Sequence, residues 1–294
     1  MRAVASRAQG VASEAEILDC VHRVLGPVDV AEDLTSRPQA GRVLRVTTGL
    51  GEHSVVKWYL EATDFQREYD ALRFYTPSLG TDAPKLIAHD DALHMLLISH
   101  VPGSPVVGTA AEWDPLVHYK AGALIRRLHE SAPAVVSDQF ARTCAARFEE
   151  AASSLENVLE SSMLQEARLL IARAMDLESI PLVPTHRDNH PRNWMVDSGE
   201  HLRLIDFADC EYDPWVVDVL LLEQHYWRSN PELKIAFLGG YDRAMTDDDE
   251  RLLRAHHAVA AARALADAQR SGASKADKAI AKDMFDRLVG ATLF

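Results

Sequence analysis

Thr185-His186-Arg187-Asp188-Asn189-His190-Pro191-Arg192-Asn193 and, a short distance on, Leu204-Ile205-Asp206-Phe207 decide how the rest of the chain is read. The first stretch spells His-Arg-Asp and, after four further residues, Asn. The second is an apolar run closed by an acid. Trp194 to Ile205, which joins them, reads as strand, polar turn, strand, so it predicts a hairpin that brings Asn193 and Asp206 together. One loop carboxylate, one amide and a second carboxylate are the minimum equipment for activating a hydroxyl beside a divalent cation.

Each residue type has a chemical reason to be there. A hydroxyl is a weak nucleophile near neutral pH, and a carboxylate such as Asp188 both orients it and takes its proton. Mg2+ takes hard oxygen ligands in octahedral array and keeps water and phosphate oxygens among them, so Asn193 and Asp206 suffice as the protein's share. His186 and Arg187 support the loop. A zinc reading of His186 and His190 fails because the metalloprotease motif needs Glu after the first His, where this chain has Arg187. Together the set points to phosphoryl transfer, in which catalysis is mostly positioning and charge neutralisation.

Outward from this centre, Lys57 lies within the β-like run Ser54 to Tyr59, and Glu68 falls on the helix predicted after Asp64. An inward strand Lys steadied by that Glu could contact α- and β-phosphates. Gly49-Leu50-Gly51 reads as a hairpin turn between Arg42–Thr47 and Ser54–Tyr59. No Walker sequence follows it, and the phosphate-covering turn is placed at Ser36 to Gly41, whose backbone N–H groups could cradle phosphate. Ser13-Glu14-Ala15-Glu16 and Thr109-Ala110-Ala111-Glu112 read as capping boxes that open helices. Phe65, Tyr69 and Leu72 share a helical face, Leu93 to Val101 is an apolar run ended by Pro102-Gly103, and most of the chain beyond reads helical. His256-His257 reads as an ordinary helix-surface pair.

Composition narrows the class. The chain has 294 residues, 47% hydrophobic and 26% charged, which suits a globular protein with a large core. A net charge of −13 argues against nucleic acid or an anionic membrane as partner. Cys20, Cys144 and Cys210 lack paired spacing and read as free thiols in a reducing cytoplasm. Met1 to Arg7 lacks the apolar region of a signal peptide, and no apolar run approaches bilayer-spanning length.

With these residues in hand, the chain resembles the aminoglycoside phosphotransferase family, which shares the protein-kinase-like fold with choline kinase. His186-Arg187-Asp188 through Asn193 is similar to the family's His-Gly-Asp catalytic loop, Ile205-Asp206-Phe207 to its metal segment, and Leu128-His129 to the end of its Leu-x-x-Leu-His helix. Leu96 to Gly103 resembles its hinge, where main-chain groups of Ser99 and Val101 would meet a purine. Arg187 stands where the family usually has Gly. No Gly follows Phe207-Ala208 and no Ala-Pro-Glu comes later, so no activation loop is recognisable. The resemblance implies an α+β, bilobal, protein-kinase-like fold: an N-terminal nucleotide-binding lobe over 1–98 with an antiparallel sheet, a hinge over 99–103, and a mostly helical catalytic and substrate-binding lobe over 104–294. It also implies a cytoplasmic, Mg2+-dependent O-phosphotransferase, monomer or homodimer, that takes ATP or GTP. The acceptor would be a hydroxyl of an antibiotic of the aminoglycoside or nucleoside/glycosylated type, and Phe294 would touch it. Between Ser131 and Thr185 acids outnumber arginines eight to four, hardly denser than in the whole chain, so nothing there marks a polycation site. A metabolic kinase of choline-, homoserine- or sugar-kinase type is the first alternative, and a non-catalytic nucleotide-binding protein the second.

Overall fold

A computed structural model describes residues 12–270 and 274–290; Phe294 and the residues before 12 lie outside this range. The chain divides into two compact units, Met1–Glu112 with Pro191–Glu211, and Trp113–His190 with Tyr212–Phe294.

The first unit is built on a five-stranded antiparallel sheet of order β1-β2-β3-β5-β4. Its strands are β1 (Val28–Asp33), β2 (Gly41–Thr48), β3 (His53–Tyr59), β4 (Leu86–Asp90) and β5 (Met95–Ser99). Side chains alternate across a strand, so each face collects its own helix. Val56, Trp58, Met95 and Leu97 pack with Leu44 and Val46 against Ile17, Cys20 and Val21 of α1 (Glu14–Leu25). Val55, Leu96 and Ile98 pack on the opposite face with Phe65 and Leu72, from α2 (Ala62–Asp70) and the turn after it. Lys57 shares the parity of Val55, which places it on the face that α2 covers.

The local signals were largely sufficient here. Ser13 and Glu16 form the expected capping box at the start of α1. The turn at Gly49 to Gly51 joins β2 to β3, with Gly51 in the left-handed region at φ +79°. Sequence reading overlooked β1, whose acids and exposed pattern give an edge strand no apolar alternation. A further hairpin, β9 (Trp194–Val196) and β10 (Leu202–Leu204), groups with this unit although sequence order places it later. β9 pairs with the two-residue β6 (Ser104–Pro105), and the Leu204 N–H donates to the Asp82 carbonyl. Gly103 is required at this junction: an added Cβ would sit 2.6 Å from the Val196 carbonyl oxygen.

The second unit is mostly helical, with α3 (Pro115–His129), α4 (Phe140–Ala152), α5 (Ser161–Met175), α6 (Leu220–Leu222), α7 (Pro231–Tyr241), α8 (Asp247–Arg270) and α9 (Lys275–Gly290). A three-stranded sheet of order β11-β8-β7 joins β7 (Val135–Ser137), β8 (Ile180–Thr185) and β11 (Glu211–Asp213). Two expectations need correction. Thr109 to Glu112 does not cap a long helix: Thr109 Oγ1 donates to the Val106 carbonyl, and residues 110–113 make one 3-10 turn. The helix begins at Pro115, with Asp114 as its N-cap accepting from the Leu116 N–H at 2.8 Å. Proline holds Asp114 extended and needs no N–H partner at the first helical position, so it sets the boundary. His256 and His257 are not a surface pair either. The small alanines of α8 let it run among packed helices, and His257 is only 4% exposed.

Candidate active site

In the first unit one cation gathers the charge. Lys57 Nζ donates to both oxygens of Glu68, at 2.8 and 3.0 Å, and to Asp206 Oδ1 at 2.8 Å. Glu68 is fully buried and also accepts from the Tyr59 hydroxyl and from the Phe207 N–H at 3.3 Å. A buried carboxylate is costly unless paired and hydrogen-bonded, and Glu68 has both kinds of partner. Burial works to lower the Lys57 pKa, but the Asp206 and Glu68 carboxylates outweigh it and hold it above the ordinary lysine range. Lys57 is therefore a fixed positive charge.

The hairpin does what its sequence predicts. β9 and β10 pair in register, Trp194 opposite Leu204, and the Ile205 N–H reaches back to the Asn193 carbonyl at 3.0 Å. Asp206 then follows in the left-handed region at φ +66°, with its side chain 48% exposed. Asn193 and Asp206 thus end neighbouring strands of one hairpin. Among the described residues no group of three or more His, Cys, Asp or Glu could hold a metal. Two oxygen donors are what a Mg2+ ion needs from protein when phosphate and water complete its shell, so the donor set fits that ion.

The other first-unit residues divide. The Ala40 and Gly41 N–H groups both donate to the Arg37 carbonyl, at 2.9 and 3.4 Å. A Cβ at Gly41 would lie 2.2 Å from the Trp58 carbonyl oxygen, so this glycine serves close packing. Ser36 is exposed in the same turn, between β1 and β2. The Ser99 N–H is spent on the Lys85 carbonyl at 2.9 Å.

In the second unit one carboxylate gathers the backbone. Asp218 Oδ2 accepts from the His186 N–H at 2.8 Å and Oδ1 from the Arg187 N–H at 2.5 Å. Its main-chain carbonyl accepts from the Asn189 side-chain amide at 2.8 Å. His129 at the end of α3 lies 2.8 Å from Asp218 Oδ2 through Nε2 and 2.7 Å from the Tyr241 hydroxyl through Nδ1. A carboxylate only accepts, so His129 donates to Asp218 from Nε2. The loop presents Asp188, half-buried, with Oδ1 3.2 Å from His190 Nε2. Arg187 is left-handed at φ +64°, and its guanidinium pairs with the buried Asp213 at 3.0 Å. That φ accounts for the glycine usual in the resembling family.

Sequence reading missed Asp218, Asp213 and Tyr59. A signal for Asp218 existed: it is an acid inside Trp215-Val216-Val217-Asp218-Val219-Leu220, and a carboxylate in such a run must be satisfied by something.

The sequence profile of the Phosphotransferase enzyme family matches residues 39–256. No curated protein matches the chain. Among solved structures, the fold is similar to the GDP complex of wild-type aminoglycoside 2'-phosphotransferase-IIIa, at 10% identity and TM-score 0.69 over 96% of this chain and 100% of that one. It is also similar to apo macrolide 2'-phosphotransferase MphH from Brachybacterium faecium, at 13% identity and TM-score 0.63 over 92% and 97%. A third match is an amicoumacin kinase bound to AMP-PNP and Ca2+, at 19% identity and TM-score 0.63 over 96% and 94%.

Proposed function

Because the chain belongs to the phosphotransferase enzyme family, we propose that it moves the γ-phosphoryl group of ATP or GTP to a hydroxyl of a small molecule, an antibiotic by analogy with the relatives' names. The observation that carries this reading is the Lys57–Glu68–Asp206 cluster. A buried acid that fixes a lysine next to a half-exposed aspartate is poor economy for stability alone. It suits a site that must meet several phosphate charges.

In this reading Asp188 accepts the proton of the acceptor hydroxyl. Lys57 neutralises the α- and β-phosphates and is kept from swinging away by Glu68, which Tyr59 and the Phe207 N–H hold in turn. Asn193 and Asp206 would hold Mg2+, which supplies charge neutralisation at the transferring phosphate when bound. The Val101 N–H would meet the purine edge, and the turn at Ser36 would cover the phosphates. His186 and Arg187 fix the loop that carries Asp188. A nucleotide donor and three free buried cysteines support a cytoplasmic setting.

The test is a mass-spectrometric screen of antibiotics and simple alcohols with both nucleotides, reading for an added phosphate. Product that requires a divalent cation and is lost in Asp188→Asn supports the reading. Undiminished product formation by Asp188→Asn removes the base assignment.

A further inference from the structure

Asp218 fixes the course of the loop that carries Asp188. It takes the His186 and Arg187 N–H groups, and its carbonyl takes the Asn189 side-chain amide. Such bonds set where the Cα of Asp188 lies. They do not set where its carboxylate points, because the terminal torsion of an aspartate is a broad, roughly two-fold well. A base that must meet one proton needs that torsion held as well, since small errors of placement at a reacting centre are costly.

His190, two residues on, meets that need. Its Nε2 lies 3.2 Å from Asp188 Oδ1. A carboxylate only accepts, so the ring donates from Nε2. The histidine side chain is the better buried of the two, 11% exposed against 22% for the aspartate. The backbone on either side of the ring is also restrained. Asn189 hangs on Asp218, and Pro191 follows, which confines His190 to extended backbone and limits where its ring can reach. Pro191 then opens the 3-10 turn Pro191–Asn193.

A buried histidine beside an acid can serve stability alone, and this unit holds one that does. His129, at the end of α3, joins Asp218 and Tyr241, residues far along the chain, and so ties elements together. The contact of His190 with Asp188 joins residues two apart and ties no element to another. What it constrains is the direction of one carboxylate.

We propose that His190 is a positioning residue, whose Nε2–H holds the Asp188 carboxylate in the orientation from which it takes the acceptor's proton. The ring itself neither gains nor loses a proton in this role. The proposal rests on the transfer reading and deepens it: the base acquires a partner that sequence reading weighed only as a zinc ligand.

The experiment compares wild type, His190→Leu and His190→Gln, alone and on the Asp188→Asn background, in steady-state kinetics on an acceptor found by the screen above. Leucine removes the donor, whereas glutamine puts an amide N–H near the place of Nε2. His190→Leu should lower kcat about tenfold or more with both KM values within about twofold of wild type, and His190→Gln should recover most of the loss. On the Asp188→Asn background His190→Leu should cost no further rate, because groups that act as a unit are not additive. An unchanged kcat in His190→Leu overturns the role. So does a glutamine variant as slow as the leucine one, or an equal loss on both backgrounds. A second measurement needs neither turnover nor a folded leucine variant: nitrogen NMR of the full chain labelled in histidine, with the His190 ring assigned by its absence in His190→Gln. Nε2 should be protonated and the ring signals displaced in Asp188→Asn. Signals indifferent to that substitution overturn the contact, whatever the chain transfers. If the contact is seen and wild type phosphorylates no acceptor, the transfer reading fails and the role falls with it. If wild type phosphorylates an acceptor by way of Asp188 and His190→Leu is as fast, the role alone fails.

Discussion

The two units hold their candidate groups by opposite means. In the first, charge holds charge: Lys57 stands between Glu68 and Asp206, and removing it leaves the buried Glu68 without its cation. In the second, a single buried carboxylate, Asp218, is spent on the loop's own N–H groups and on His129. Ion pairs fix a side chain. Hydrogen bonds to backbone fix a loop, and through it the direction of Asp188. The difference implies that lesions in the first unit are cured by removing the leftover charge, whereas lesions in the second are cured only by restoring the acceptor.

The largest effect should come from the group the second arrangement exists to present. Asp188→Asn keeps the shape of the loop and removes the proton acceptor proposed above, so kcat should fall by about 10²–10⁴ with little change in melting temperature. Steady-state kinetics on the identified acceptor reads this directly. Next is Lys57→Met, which strands a fully buried Glu68 and should cost about 3–5 kcal/mol in denaturant unfolding. Lys57→Met/Glu68→Leu should recover most of that stability without recovering activity. If the double variant stays as unstable as the single one, charge compensation is not what holds the first unit's cluster together.

Asp218→Asn probes the other half. Asn retains one acceptor oxygen where the aspartate uses two, so a loop N–H loses its partner, and a cost of about 2–3 kcal/mol follows from hydrogen bonds to a charged group. No second substitution that merely removes charge should restore it. Recovery with His129→Leu would erase the distinction between the units.

The same distinction explains what could be read in advance. Lys57, Glu68, Asn193 and Asp206 announce themselves because strand parity, helix position and the hairpin pattern each place them by local rules. Residue 218 lies far along the chain from the loop it anchors, and nothing in the spacing of Asp218 and His186 reveals that they meet. Tyr59 shares the strand parity of Lys57, but nothing in the sequence marks its hydroxyl as a partner of Glu68. The helix boundary at Pro115 was legible and was outweighed by a Thr-x-x-Glu pattern that the chain uses for a 3-10 turn. The burial of His257 follows from helix packing, which a hydrophobic pattern rich in alanine cannot assign to one face.

That histidine provides a pH test. Burial, with Arg228 and His225 nearby, lowers the folded-state pKa of His257 to about 4 from an ordinary 6.5. The unfolded chain therefore binds the extra proton first. The stabilisation is complete above about pH 6.5 and is lost as pH falls toward 4, by up to roughly 3 kcal/mol for this group. His257→Gln should flatten that decline in urea titrations at pH 7, 5.5 and 4.5. An unchanged slope would assign the acid sensitivity to other groups.

The smallest effect separates backbone from side chain in the second unit's loop. Arg187 is held at φ +64° and pairs with Asp213, so its replacement removes an ion pair and alters a strained position at once. Comparing Arg187→Gly with Arg187→Ala isolates the second contribution, because both variants remove the pair with Asp213 equally. Alanine keeps the Cβ that disfavours a left-handed residue, whereas glycine does not, even after its greater freedom in the unfolded chain is counted. Arg187→Gly should therefore be the more stable of the two by about 1 kcal/mol in equilibrium denaturation. Equal stability would mean that the loop relaxes out of the left-handed region once the guanidinium is gone. In that case the Asp213 pair, and not the amide hydrogen bonds to Asp218, would be what imposes the loop's conformation.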